Sequence, residues 1–227
     1  MNEQMEDLNL SGLELMKRGD YEGAAQVFNQ AIEQAPTSPS GYVNLGNLLV
    51  RMHEVEQSLA FFQRAIDLQN ENPPAFYGLG NALYTIDRYE EALYAFKKAE
   101  ESGLSDGDLH FMLGMCYQHL SQKLMAMVHF QRAVELRPED VEARFQYGLM
   151  LAQCDHIKLA IESFKTVIEA CPEHADALYN LGVAFTAVDS YEEAERCFRQ
   201  ALTAQKDHLL AGHALKTLEK LKRKSRS

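Results

Sequence analysis

The 227-residue sequence predicts an all-α fold built from one helical hairpin repeated six times, and three observations predict it. Glycine recurs every 34 residues, at Gly12, Gly46, Gly80, Gly114, Gly148 and Gly182. Phenylalanine keeps the same period in a second phase, at Phe28, Phe62, Phe96, Phe130, Phe164 and Phe198. A small residue leads each Phe by four positions, and another follows it by three: Ala92 and Ala99 flank Phe96, with Val167 the only larger member of the series. Six copies without an insertion or deletion mark an array of supersecondary units, and the period decides the fold.

Each copy contains two helical stretches. The first places large apolar residues before and after the glycine, as in Tyr42, Leu45, Gly46 and Leu49. The second carries Ala-x-x-x-Phe-x-x-Ala, as in Ala92 to Ala99. Spacings of three and four put these residues on one helix face. A glycine inside a helix costs about 1 kcal/mol relative to alanine, so it marks a place where a larger residue would block a neighbour. The expectation is that Gly and Ala bring the two helices of a hairpin close together, while the Phe fills the gap to the next repeat.

The frame divides 5–208 into six repeats, at 5–38, 39–72, 73–106, 107–140, 141–174 and 175–208. Pro36, Pro138 and Pro172 close repeats one, four and five, where proline cannot continue a helix. Turns inside hairpins read Gly19-Asp20-Tyr21, Asp87-Arg88-Tyr89 and Asp189-Ser190-Tyr191. Repeat three ends without proline in Ser102 to Gly107, which reads as the softest joint in the array. After Asp207 the pattern changes, yet Leu210, Ala211, Ala214, Leu215, Leu218 and Leu221 still form an apolar stripe. A capping helix over 209–222 is expected, with one face for the last repeat and one for water, followed by a basic tail at 223–227.

Net charge is -11, which argues against a body that coats nucleic acid. The segment from Lys216 to Ser227 runs the other way, with six basic residues and one acid. The basic run from Lys220 to Arg226 reads as a solvated terminus, with contact to nucleic acid or anionic lipid as the alternative. No run of eighteen apolar residues exists to span a membrane, and the acidic start MNEQMEDLNL does not read as a secretory signal. Cys116, Cys154, Cys171 and Cys197 form no CxxC pair, which suits a reducing cytoplasm.

Residues 5–208 resemble the tetratricopeptide repeat family, a 34-residue helix-turn-helix with W-x2-L-G-x2-Y, A-x3-F and P marks. Leu8, Tyr42, Phe76, His110, Arg144 and Leu178 stand where the pattern has tryptophan, and His110 and Arg144 depart from it by being polar. The resemblance implies a right-handed superhelical solenoid whose first helices line a concave groove and whose second helices form the convex back. It implies an adaptor that holds a peptide segment or helix of a partner, and no enzyme.

Mapped onto that architecture, one groove position reads Asn9, Val43, Tyr77, Phe111, Phe145 and Tyr179, ending in four consecutive aromatics. The next reads Leu10, Asn44, Gly78, Met112, Gln146 and Asn180, and a turn later come Asn47, Asn81 and Met115, with Tyr84 nearby. Primary amides such as Asn44, Asn47, Asn81, Gln146 and Asn180 can donate to and accept from a peptide backbone at once. Tyr77, Phe111, Phe145 and Tyr179 would take apolar side chains, and Met112 and Met115 would repack around varied shapes. Any one of these residues could instead pack against the next repeat. Four exposed aromatics in line, however, would be an aggregation liability without a partner.

The family's clamp for C-terminal carboxylates needs basic groove residues, and the matching positions hold Asn9, Leu13, Asn44, Asp108 and Met112. Cys154-Asp155-His156 and Cys171-Pro-Glu-His174 fall at opposite ends of helices about 20 Å long, too far apart to share one zinc ion. Cys116 and Cys197 read as small core residues. No catalytic set, cofactor loop or metal site can be assembled. The expected function is a cytoplasmic protein–protein scaffold that binds a partner's peptide. The alternatives are an assembly factor acting by self-association or its convex face, and an RNA-associated protein using its tail.

Overall fold

The computed structural model describes residues 2–224, with side chains from 7 to 220. Thirteen helices occupy the described residues: α1 (Asn2–Arg18), α2 (Tyr21–Gln34), α3 (Pro39–Arg51), α4 (Val55–Leu68), α5 (Pro73–Thr85), α6 (Tyr89–Glu101), α7 (Gly107–His119), α8 (Lys123–Leu136), α9 (Val141–Gln153), α10 (Ile157–Ala170), α11 (Ala175–Ala187), α12 (Tyr191–Ala204) and α13 (Leu209–Lys224). The fold is an all-α helical-repeat solenoid. The chain divides between Leu120 and Ser121 into two compact units, the first holding α1–α7 and the second α8–α13.

The repeating phenylalanines are the centre of each hairpin. Phe28, Phe62, Phe96, Phe130, Phe164 and Phe198 are all at or below 2% exposure. A buried side chain of this size contributes about 1.5–3 kcal/mol. The repeating glycines are what make room for these rings. A Cβ on Gly46 would lie 2.8 Å from the Phe62 ring, on Gly148 2.7 Å from Phe164, and on Gly182 2.5 Å from Phe198. This contact lies within one hairpin, and the same rings also pack on the next repeat, as expected: Phe28 clusters with Leu45 and Leu48, and Phe164 with Ala177 and Leu181. Close contacts also run between repeats: a Cβ on Gly78 would meet the Phe62 ring of the preceding hairpin at 2.3 Å, and one on Gly41 would meet Ile32 at 2.9 Å.

The turns inside hairpins share one hydrogen-bonded closure. One or two residues past the end of each first helix, a residue sits at positive φ: Gly19 (80°), His53 (62°), Asp87 (60°), Ser121 (59°), Asp155 (65°) and Asp189 (59°). In the turns at Gly19, His53, Asp87, Asp155 and Asp189 its N–H bonds the carbonyl three residues back, and the next N–H reaches five back, as in Asp155 to Ala152 (3.2 Å) and His156 to Leu151 (2.8 Å). This Schellman arrangement satisfies the last carbonyls of the helix and reverses the chain.

The joint at Ser102–Gly107 is ordered by the same device, contrary to the soft break expected from its composition. Gly103 has φ 101°. Its N–H bonds Glu100 O at 3.0 Å, and Leu104 N–H bonds Ala99 O at 3.0 Å. Asp106 then caps α7, its Oδ1 accepting from Leu109 N at 2.8 Å. Small and polar residues here supply turn geometry and a cap.

The starts of the first helices follow their own series. Asn72, Asp106 and Asp140 accept the N–H three residues on, at 2.8–2.9 Å. At the corresponding places His174 Nδ1 accepts from Ala177 N and His208 Nδ1 from Ala211 N, each at 3.2 Å. An accepting Nδ1 carries no proton, so both rings cap as the Nε2–H tautomer. The second unit ends on α13, which packs Ala211 and Leu218 against α11 and α12. The side chains from 221 onward, including Leu221 and most of the basic run to Arg226, lie outside the described residues.

Candidate functional site

Within the first unit, α1 touches α3, α3 touches α5 and α5 touches α7 directly, so their outer faces adjoin. Their packing residues are closed: Leu48, Leu109 and Leu113 have no exposure. The residues offset from that stripe stay open to varying degrees. Asn47 is exposed, while Tyr77, Asn81, Phe111, Met112 and Met115 are half-buried.

Several of the expected contact groups are already engaged. Asn44 Nδ2 donates to Asn9 Oδ1 at 2.8 Å, and Asn9 Nδ2 reaches Ser40 Oγ at 3.3 Å, which links α1 to α3. Tyr84 is half-buried, its hydroxyl 3.0 Å from His119 Nε2. His119 stacks on Tyr89 at 4.1 Å, and the Tyr89 hydroxyl donates to Asp87. That donation raises the Tyr89 phenol to about 12, and burial raises Tyr84. Tyr84 therefore ties the end of α7 to the α5–α6 turn. Tyr77 lies 5.6 Å from Phe96, partly over its own hairpin. Asn47 and Asn81 make no side-chain hydrogen bond among the described residues, so their amides are the ones open to a ligand.

The second unit treats its predicted residues differently. Phe145 is 8% exposed, with the Phe164 ring at 6.0 Å and the His174 ring at 4.7 Å, so it serves the core and offers little surface. Tyr179 is half-buried, beside Phe198 at 6.0 Å and His208 at 5.3 Å. Gln146 Nε2 donates to Glu142 at 2.8 Å, and Asn180 Nδ2 donates to Asp176 O at 2.8 Å. Each amide is thus held by the turn before it.

Two features escaped the sequence reading. Val183, 42% exposed, continues the frame position of Asn47, Asn81 and Met115, a series that reaches it by two more steps of 34. The capping role of His174 and His208 has a weaker signal: they occupy the frame position of Asp106 and Asp140. Cys171-Pro-Glu-His174 accordingly ends in a helix cap. No group of three His, Cys, Asp or Glu residues among those described could hold a metal ion. Burial raises the Cys116 thiol to about 12 and the Cys197 thiol to about 11, which keeps both protonated and unreactive. No described helix is long and apolar enough to cross a membrane.

Comparison with known proteins agrees with this geometry. Models described as tetratricopeptide repeat match residues 43–108, 107–140, 141–174 and 175–208, and one described as TPR repeat matches 12–52. Among solved structures, YrrB, described as a TPR protein with an unusual peptide-binding site, is 40% identical, with a TM-score of 0.81 over 85% of this chain and 99% of that one. PilF of Pseudomonas aeruginosa shares the fold at 17% identity, with a TM-score of 0.82 over 93% and 96% of the two chains. MamA of Desulfovibrio magneticus shares it at 22% identity, with a TM-score of 0.66 over 77% and 98%. Among curated proteins, none matches the chain. The chain belongs to the tetratricopeptide repeat family, whose fold is a scaffold for protein–protein interaction.

Proposed function

We propose that the chain is a cytoplasmic adaptor that holds a peptide segment of a partner protein against the outer faces of its first helices. One observation carries this reading. In the first unit the frame's packing residues are closed, while Asn47, Tyr77, Asn81, Phe111, Met112 and Met115, on three adjoining helices, remain partly open. Open amides beside aromatic and methionine side chains suit an extended peptide, whose backbone pairs with the amides while its side chains rest on the apolar groups. The 40% identical YrrB is itself described as having a peptide-binding site, which supports the same use here. Four unpaired cysteines fit a reducing compartment.

The test is partner capture from a lysate of the source organism, read by mass spectrometry, with the wild-type chain against Asn47→Ala/Asn81→Ala. Neither side chain makes a hydrogen bond among the described residues, so helicity should be unchanged while partner recovery drops several-fold. Equal recovery with the double variant would remove the amides from the reading.

A second reading draws on α8. Leu124 (66% exposed), Met125 (42%) and Val128 (53%) form an outward apolar face at helical spacing, where α12 carries Glu192, Glu193 and Arg196. Such a face favours assembly through the second helices, and light scattering over a concentration range distinguishes self-association from a monomer.

A further inference from the structure

The second unit ends in an open concavity of about 400 Å³ between α11 and α13. Val183 and Ala187 form one wall, Ala214, Thr217 and Leu218 the other, and the edge of Phe198 the floor. The lining is mostly carbon, its polar groups are Thr186, Thr217 and the His213 ring, no Lys, Arg, Asp or Glu contributes to it, and Val183 is 42% exposed. The volume exceeds what one leucine or phenylalanine side chain needs, so a peptide residue can enter with part of its backbone.

Charge defines the rest of the ligand. Asp176, Asn180 and Val183 follow one another at helical spacing on one face of α11. Seven residues of helix separate Asp176 from Val183, about 10 Å. The Asp176 side chain is 66% exposed, although one oxygen lies 3.2 Å from His208 Nε2 without hydrogen-bond alignment. Glu142 stands exposed at the same frame position on α9. No Lys or Arg lies on α11, and Arg144, the one on α9, is turned back to Pro138 O at 3.2 Å. Along α13 the cations nearest the pocket in sequence are Lys216, which adjoins Thr217, and Lys220 one turn on, both exposed and neither lining the pocket. The rim that follows the apolar pocket along α11 is therefore acidic.

We infer that this pocket takes one large aliphatic or aromatic side chain of an extended peptide that also carries a Lys or Arg three residues away, paired with Asp176. The spacing comes from geometry, since an extended chain covers about 10 Å in three residues. The inference rests on the peptide-adaptor reading and gives it a ligand chemistry: basic-x-x-apolar, in either chain direction. The carboxylate supplies orientation and a salt-dependent on-rate, and the pocket supplies buried apolar area.

The experiment is selection of a displayed random dodecapeptide library on the immobilised full chain, followed by fluorescence anisotropy of the enriched peptides. The expected result is enrichment of Lys or Arg three residues from Leu, Ile, Met or Phe. Val183→Glu and Thr217→Glu, exposed positions on two different helices, should each weaken binding at least tenfold with circular dichroism unchanged. Asp176→Asn should weaken it about threefold to tenfold and flatten its salt dependence. Enriched peptides that lack the pair, or that bind both Glu variants as tightly as wild type, overturn the pocket. If those same peptides lose affinity for Asn47→Ala/Asn81→Ala, the adaptor reading survives and only the pocket falls. A library that yields no binder overturns both.

Discussion

The glycine–phenylalanine contact makes a quantitative claim that a double-mutant cycle can break. In the third hairpin, a methyl group on Gly80 would lie 2.6 Å from Phe96 Cε1, 2.7 Å from Cδ1 and 2.9 Å from Cζ. Ordinary carbon contacts begin near about 3.5 Å, so the ring would have to move by about 1 Å. Phe96 has no exposure, and Ala92 and Ala99 beside it have none either, so the ring has nowhere to go. Overpacking of this kind costs about 1–3 kcal/mol, against about 1 kcal/mol gained when alanine replaces glycine in a helix. Gly80→Ala alone should therefore destabilise by up to about 2 kcal/mol. Phe96→Ala removes all three ring atoms that the methyl would strike. In that background Gly80→Ala should stabilise by about 1 kcal/mol, reversing sign. The coupling energy is then about 1–3 kcal/mol, within the range for touching residues. Guanidinium unfolding followed by far-UV circular dichroism measures the four variants. Hydrogen exchange of the α5 and α6 amides localises the effect, since repeat arrays can open in parts. The same shift from Gly80→Ala in both backgrounds would refute the steric account.

Two further outcomes follow from local chemistry. His208→Ala removes the acceptor for Ala211 N–H and should cost about 1 kcal/mol, with faster exchange confined to α13 and stability restored by His208→Asn; failure of Asn to rescue would mean the imidazole acts by packing. For the thiols, Cys171 is exposed and should react first with a disulfide reagent at mildly alkaline pH, whereas the buried Cys116, held at about 12 against a usual 9, should react only as fast as the fold opens. The folded state holds that proton more tightly, so the stability contribution is complete below pH 9 and is lost as pH rises toward 12. Cys116→Ala should flatten this alkaline limb, and an unchanged limb would place the titration elsewhere.

The hairpin was legible in the sequence because each of its determinants acts locally. Apolar spacing of three and four names the buried faces, and the recurring Gly–Phe pairs name the close contacts. Reading went wrong where one composition serves two purposes. Ser102 to Gly107 looks like a loose linker, yet Gly103 at positive φ and Asp106 at the helix start make it a closed turn. The binding face was less legible. Tyr77 and Phe145 hold the same frame position, but Tyr77 stays partly open while Phe145 is covered by His174 and Phe164. The amides divide in the same way: Asn47 and Asn81 make no side-chain hydrogen bond among the described residues, whereas Asn44, Gln146 and Asn180 are held by nearby groups.

The sequence by itself determined the repeating unit, its number of copies and the residues that pack it, because period and steric fit are properties of neighbours along one or two helices. Only the tertiary structure decided which of the offset side chains remain available to a partner. That availability depends on what the following helix and its cap place against each one, as with the His174 cap of α11 over Phe145 and the α13 wall facing Val183. These neighbours come from the turn into the next first helix or from the capping helix, so packing between hairpins sets them.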